Sequence, residues 1–161
     1  MTRVGGLLLL AALAGACTRG PVVRASWTGS DTGTAVLRAR AAWCGSGGPL
    51  VIFGQAGDTG IGLAVYPVDS LLAARYGVFD PTRGVTRPGA AVAARWTRKM
   101  VMADLRGTTG DVTLTRVGDA VSGRFSARTT GVVMAGAVSI AGSFSGIPLA
   151  RGGADCPGAS R

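Results

Sequence analysis

Two short stretches of the chain have the composition of a carboxylate active site. Asp31-Thr32-Gly33 and Asp58-Thr59-Gly60 repeat the same tripeptide, and the first continues with Thr34. Two aspartates that share one proton can activate a water for hydrolysis. For that chemistry Asp31 and Asp58 must converge within hydrogen-bond reach. The copies lie 27 residues apart, and the stretches before them, "WTGS" and "GQAG", have turn composition. Asp-x-Gly is also an ordinary turn signal, because Asp bonds its own backbone and Gly accepts the left-handed region.

The tripeptide resembles the motif of the aspartic proteases, which implies an aspartyl hydrolase with Asp31 and Asp58 as its catalytic pair. The departures are specific. The short separation leaves no room for one lobe per aspartate, no apolar strand leads into either copy, and Ile61 stands where Ser or Thr follows in the family. The bottom-up reading is therefore two turns, with the hydrolase kept as the alternative.

Other chemistries lack their parts. The chain has no His, so it offers neither a Ser-His-Asp nor a Cys-His arrangement. Three cysteines without His do not make a usual zinc site. No glycine-rich loop ends in Gly-Lys-Ser/Thr. Lys99, the single lysine, could activate a serine, but nothing in the sequence brings one to it, and it reads as a solvated residue at a strand end. The expectation is a non-enzyme without metal or cofactor.

The cysteines point elsewhere. Met-Thr-Arg opens the chain, Val4–Leu13 is apolar, and Ala14-Gly15-Ala16 precede Cys17. An apolar run this short does not span a bilayer, which takes about 20 residues. A basic start, a short apolar stretch and small residues are the layout of an export signal over residues 1–16. "LAGAC" resembles the lipobox of bacterial lipoproteins, with Ala14 where Leu or Val is usual and Leu13 one place early. The resemblance implies that Cys17 receives lipid through its sulfur, a diacylglycerol with acyl chains such as palmitate. The alternative is ordinary cleavage after Ala16, leaving a free thiol. With Cys17 lipidated, Cys44 and Cys156 remain to pair, and an oxidising compartment would keep them paired.

The formal net charge is +9, from 17 basic and 8 acidic residues, and arginine supplies nearly all the positive charge. Basic chains often bind nucleic acid. Here the arginines are spread along the sequence and export removes the chain from most nucleic acid. The candidate counter-surfaces are the membrane that holds the anchor and an anionic envelope component. An apolar ligand inside a barrel is a further candidate partner.

These features must be carried by β-structure. Residues 17–33 read as a tether with a candidate strand at Val22–Trp27. From Thr34 to the end, residues 34–161, the period is two: Leu37, Ala39, Ala41 and Trp43 share one face while Arg38 and Arg40 share the other. Pro49–Phe53, Ile61–Val68, Ala74–Phe79, Val92–Thr97, Met100–Leu105, Asp111–Val117 and Val138–Leu149 read as further strands. Asp69–Arg75 reads as one helical turn capped by Asp69, and Asp80–Gly89 as a loop. The expectation is an all-β fold: a single antiparallel β-barrel or β-sandwich of about 8–10 short strands.

One repeat stands out. Val121–Ala127, "VSGRFSA", returns as Ile140–Gly146, "IAGSFSG". A glycine within a strand packs nothing, and an aromatic ring from the neighbouring strand can cover it. If the two copies pair antiparallel, one register puts Gly123 opposite Phe144 and Phe125 opposite Gly142, with the rings in the core.

The signal, "GDTGIGLAVYPVDSL…RYGVF", the "VTL…VSGRF" hairpin and the closing "GSFSGIPL" together resemble a loose set of uncharacterised β-rich bacterial envelope lipoproteins. That resemblance implies a membrane-anchored place in the bacterial envelope, at the outer membrane in a Gram-negative host. It implies no activity and no catalytic residue.

Overall fold

A computed structural model describes residues 20–98, 100–131, 136–152 and 156; the signal segment, Cys17 and Lys99 lie outside them. Nine strands follow one another: β1 (Val22–Gly29), β2 (Gly33–Trp43), β3 (Leu50–Ala56), β4 (Thr59–Tyr66), β5 (Arg75–Gly77), β6 (Gly89–Arg98), β7 (Val101–Arg116), β8 (Ala120–Gly131) and β9 (Ala137–Arg151). Among the described residues there is no α-helix. Eight strands close a ring in the order β1-β2-β3-β4-β6-β7-β8-β9, with β9 returning to β1. The fold is thus a closed antiparallel β-barrel, not a sandwich. Closure leaves the wall without free edges, which a sandwich would have to protect by other means.

Alternation decides what fills the barrel. Inward positions such as Leu37, Ile52, Leu63, Val92, Leu105, Leu114, Val121, Ile140 and Ile147 are at most 2% exposed and form one cluster. Their neighbours along each strand face out. Eight strands enclose just enough space for side chains to fill, so a packed interior is the expected result.

Several elements differ from the sequence reading. The candidate strand at Val22–Trp27 is realised as β1, Val22–Gly29. β1 is a full wall strand between β2 and β9, so the boundary expected at residue 33/34 falls inside the β1–β2 hairpin. Met100–Leu105 and Asp111–Val117 are not separate strands but parts of one 16-residue strand, β7. Its register shifts at Gly107/Thr109 and Leu114/Arg116 let one long strand bend around the barrel. No helical turn forms at Asp69–Arg75. Leu71 packs against the core there, and the Tyr76 hydroxyl donates to Leu72 O at 2.9 Å and accepts from Leu72 N at 3.2 Å, which holds the segment open. A single 3-10 turn, Pro81–Arg83, forms instead inside the expected loop, with the Asp80 side chain accepting from Thr82 N. β5 completes the wall beside the lower half of β7, where β6 has already ended.

Both ends are shut. At the end where β1 starts, Trp43, Leu71, Val117 and Leu149 pack against the core. β1 begins only at Val22, so beyond it β2 and β9 meet directly and pair in parallel, Ala41 opposite Leu149 and Trp43 opposite Arg151. Cys44 and Cys156 follow these two strands and are joined in a disulfide, with Cα atoms 5.5 Å apart. The bridge ties Cys156 to the seam that the short β1 leaves.

Candidate functional site

The Asp-Thr-Gly turns lie at the far end of the barrel, in the β1–β2 and β3–β4 connections. They do different things. Asp31 folds inward and is 9% exposed. Its Oδ2 accepts from Trp96 Nε1 at 2.9 Å and, at a long 3.4 Å, from Trp27 Nε1; its Oδ1 accepts from Thr32 N at 2.9 Å. The two indoles are stacked, with centroids 4.6 Å apart. Gly33 is opposite Trp27 in the β1–β2 ladder, and a Cβ there would sit 2.5 Å from the Trp27 ring. The first tripeptide therefore has a structural task for each end: its carboxylate satisfies two buried indole N–H groups, and its glycine admits the ring. A buried indole N–H without an acceptor would cost about 1–3 kcal/mol.

Asp58 is exposed in the β3–β4 turn and makes no hydrogen bond to Asp31 among the described residues. The structure thus sets the two carboxylates in different environments, one committed to tryptophans and one in solvent. The tryptophan pair was not singled out from sequence; the signal available was only that Trp27 and Trp96 are inward-phase residues near strand ends.

The repeat lies in the β8–β9 ladder. Gly123 is opposite Phe144 and Phe125 opposite Gly142. A Cβ on Gly123 would be 2.7 Å from the Phe144 ring, and one on Gly142 would be 2.6 Å from the Phe125 ring. Both rings are buried, at 2% and 3% exposure. These phenylalanines are core, each laid over bare backbone across the ladder.

The outer wall carries a different arrangement. On β8, β9, β1 and β2 the outward residues line up in rows through the pairing register. Arg124, Ser143, Arg24 and Val36 form one row. Ser126, Ala141, Ser26 and Thr34 form the next, and Arg128, Ser139 and Thr28 the one beyond. Arg38 lies beside Val22, one step toward the β1 start. The four strands contain no acidic residue; in the other strands, Asp104 and Asp111 are both on β7. Arg24, Arg38, Arg124 and Arg128 are exposed and form no ion pair among the described residues. Arg40 also faces out and lies over the Phe53 ring, 5.2 Å from its centroid.

At the foot of this wall is a groove of about 1160 Å³, lined in part by Val22, Arg24, Val36, Arg38, Ser145 and Pro148. It opens because β1 starts late while β9 bulges near Gly146, whose φ is 61°. No group of three or more His, Cys, Asp or Glu is placed to hold a metal among the described residues. No helix there is long and apolar enough to cross a membrane. No protein family, no curated protein and no solved structure matches this chain.

Proposed function

We propose that the chain is a lipid-anchored protein of the bacterial envelope with a non-catalytic binding role exercised on its outer surface. The observation that carries this reading is the filled barrel. An apolar carrier needs an open cavity, typically about 300–1,000 Å³ and lined by apolar groups. Here the inward side chains form one packed cluster, and the cleft at the β1 end, about 310 Å³ between Trp43, Leu71, Val117 and Leu149, lies at the margin of that cluster. What remains for a partner is the wall, with its sorted charge.

The anchor follows from Cys17 and its signal. Only four residues lie between Cys17 and Val22, five backbone steps with a reach of at most about 18 Å. A lipid there holds the β1 end of the barrel, with its disulfide seam, against the membrane. The hydrolase alternative draws little support from Asp31, whose Oδ2 already accepts from two indoles. Mass spectrometry of the protein purified from its host tests the anchor: a diacylglycerol-modified N-terminal Cys17 is expected. A mature N-terminus elsewhere, with an unmodified thiol, would overturn it. Peptidase and esterase assays in which Asp31→Asn abolishes turnover would instead favour the hydrolase.

A further inference from the structure

Arginines stand on both halves of the wall, but on β8, β9, β1 and β2 they stand without acid, whereas both strand aspartates lie on β7. We propose that the outer face of β8, β9, β1 and β2 is a binding surface for an anionic glycan chain, held by Arg24, Arg38, Arg124 and Arg128. The proposal rests on the reading of the chain as an envelope binding protein and names the class of its ligand.

The geometry favours an extended chain over a small anion. Arg24 and Arg124 share a row with Ser143 between them, two strand spacings or about 10 Å apart. Arg128 is four residues farther along β8, about 13 Å away. Neighbouring arginines can share one anion, but from the Arg38–Val22 row to the Arg128–Thr28 row is six residues, about 20 Å, so no single phosphate or carboxylate spans the set. Charges that recur along a polymer can meet them in turn, each guanidinium offering two parallel N–H donors to one acidic group. Between the arginines the face is hydroxyl: Ser26, Thr28, Ser126, Ser139 and Ser143. Hydroxyls donate and accept, which suits the hydroxyls of sugar rings. At the foot of the face, the groove lined by Arg24 and Arg38 places Val22, Val36 and Pro148 beside the charges, an apolar floor for the carbon face of a sugar.

Two other occupants fit less well. A membrane held at the β1 end lies beneath the barrel, whereas Arg128 stands eight residues up β8 from Ala120, about 27 Å along the strand. The face is a side wall, and apart from Val36 its rows carry Ser, Thr, Ala and Arg rather than the bulky apolar residues that enter a lipid surface. Single-stranded nucleic acid is held largely by stacking on aromatic side chains, and the rows have none; Trp27, Phe125 and Phe144 all point inward.

The test compares two charge-matched variants of the full chain. One carries Arg24→Gln, Arg38→Gln, Arg124→Gln and Arg128→Gln. The other carries Arg83→Gln, Arg95→Gln, Arg106→Gln and Arg116→Gln, four exposed arginines elsewhere. Each is made with native Cys17 and with Cys17→Ser, so that loss of the anchor and loss of the face are read separately. Binding to polygalacturonate and to dextran sulfate is measured by titration at two salt concentrations, with neutral dextran as the blank. The face variant is expected to lose at least 10-fold in affinity and to show a flatter salt dependence. The control variant is expected to stay within about 2-fold, with or without Cys17. Equal losses in both variants would mean diffuse charge and overturn the proposal. So would binding to vesicles containing anionic lipid, or to duplex DNA, that matches the glycans and falls with the same four arginines. An unchanged melting temperature in both variants confirms that folding is not what is read.

Discussion

Replacing Gly142 by alanine should destabilise this barrel, although alanine in a strand interior normally stabilises relative to glycine by about 0.5–1 kcal/mol. The sign reverses because of what the methyl group meets. Its Cβ would lie 2.4 Å from the carbonyl oxygen of Arg24 on β1 and 2.6 Å from the Phe125 ring on β8. One neighbour is backbone and the other is a core ring 2% exposed, so neither moves freely. Overpacking of this kind costs about 1–3 kcal/mol. Phe125→Ala in turn removes a buried aromatic. A loss of about 150 Å² of apolar burial at about 25 cal/mol per Å² gives roughly 4 kcal/mol, within the usual 3–5 kcal/mol for such truncations. In the double variant the ring is gone and only the Arg24 contact remains, so the cost of Gly142→Ala should shrink, a coupling on the order of 1 kcal/mol. Equilibrium urea denaturation of the oxidised protein reads all three values, and Phe125→Ala should lower Tm on the order of 10 °C. If Gly142→Ala proves stabilising, or if Phe125→Ala costs less than about 1 kcal/mol, the ring does not cover the glycine and the reasoning fails.

Further outcomes follow from the same geometry. Cys44→Ser with Cys156→Ser opens a link across 112 residues, for a loss of about 4–5 kcal/mol on the chain-entropy account, and non-reducing peptide maps of the native protein should contain the joined peptides. Asp31→Ala leaves the Trp27 and Trp96 indole N–H groups short of their acceptor, at about 1–3 kcal/mol, whereas Asp31→Asn keeps an acceptor and should cost less; the exciton band of the stacked indoles in circular dichroism reports whether the pair stays together. The Thr82 hydroxyl and backbone N–H hold the Asp80 carboxyl below its usual range. The stabilisation is present above the ordinary carboxylate pKa, near 3.9, and is lost as pH falls through the lower folded value. Thr82→Val removes the hydroxyl and should bring the Asp80 titration, followed by NMR, back toward the ordinary range.

What the sequence determined by itself was the face of each residue. A period of two tells which side chains go in, and Leu37, Val92, Ala94, Trp96 and Phe125 are all buried in phase with it. The β8–β9 register was legible as well, because glycine leaves a gap that only a ring can cover and one offset covers both. The Cys44–Cys156 bridge was reached by counting. What a period of two does not encode is which strand lies next to which. Closure of β7 onto β8 and of β9 onto β1 depends on contacts between residues far apart in the chain, and those pairings decide that a barrel forms rather than a sandwich. The same closure decided the chemistry of the surface. Arg24 and Arg124 are 100 residues apart and unremarkable in the sequence, yet β9 between them sets them in one row. Asp31 read as a turn residue or half of a catalytic pair, and became the acceptor for two indoles only because the ring brings Trp96 on β6 across the barrel to Trp27 on β1. Local pattern sets inward and outward; only the closed sheet sets neighbours, and the partners of Asp31 and the arginine wall are both matters of neighbours.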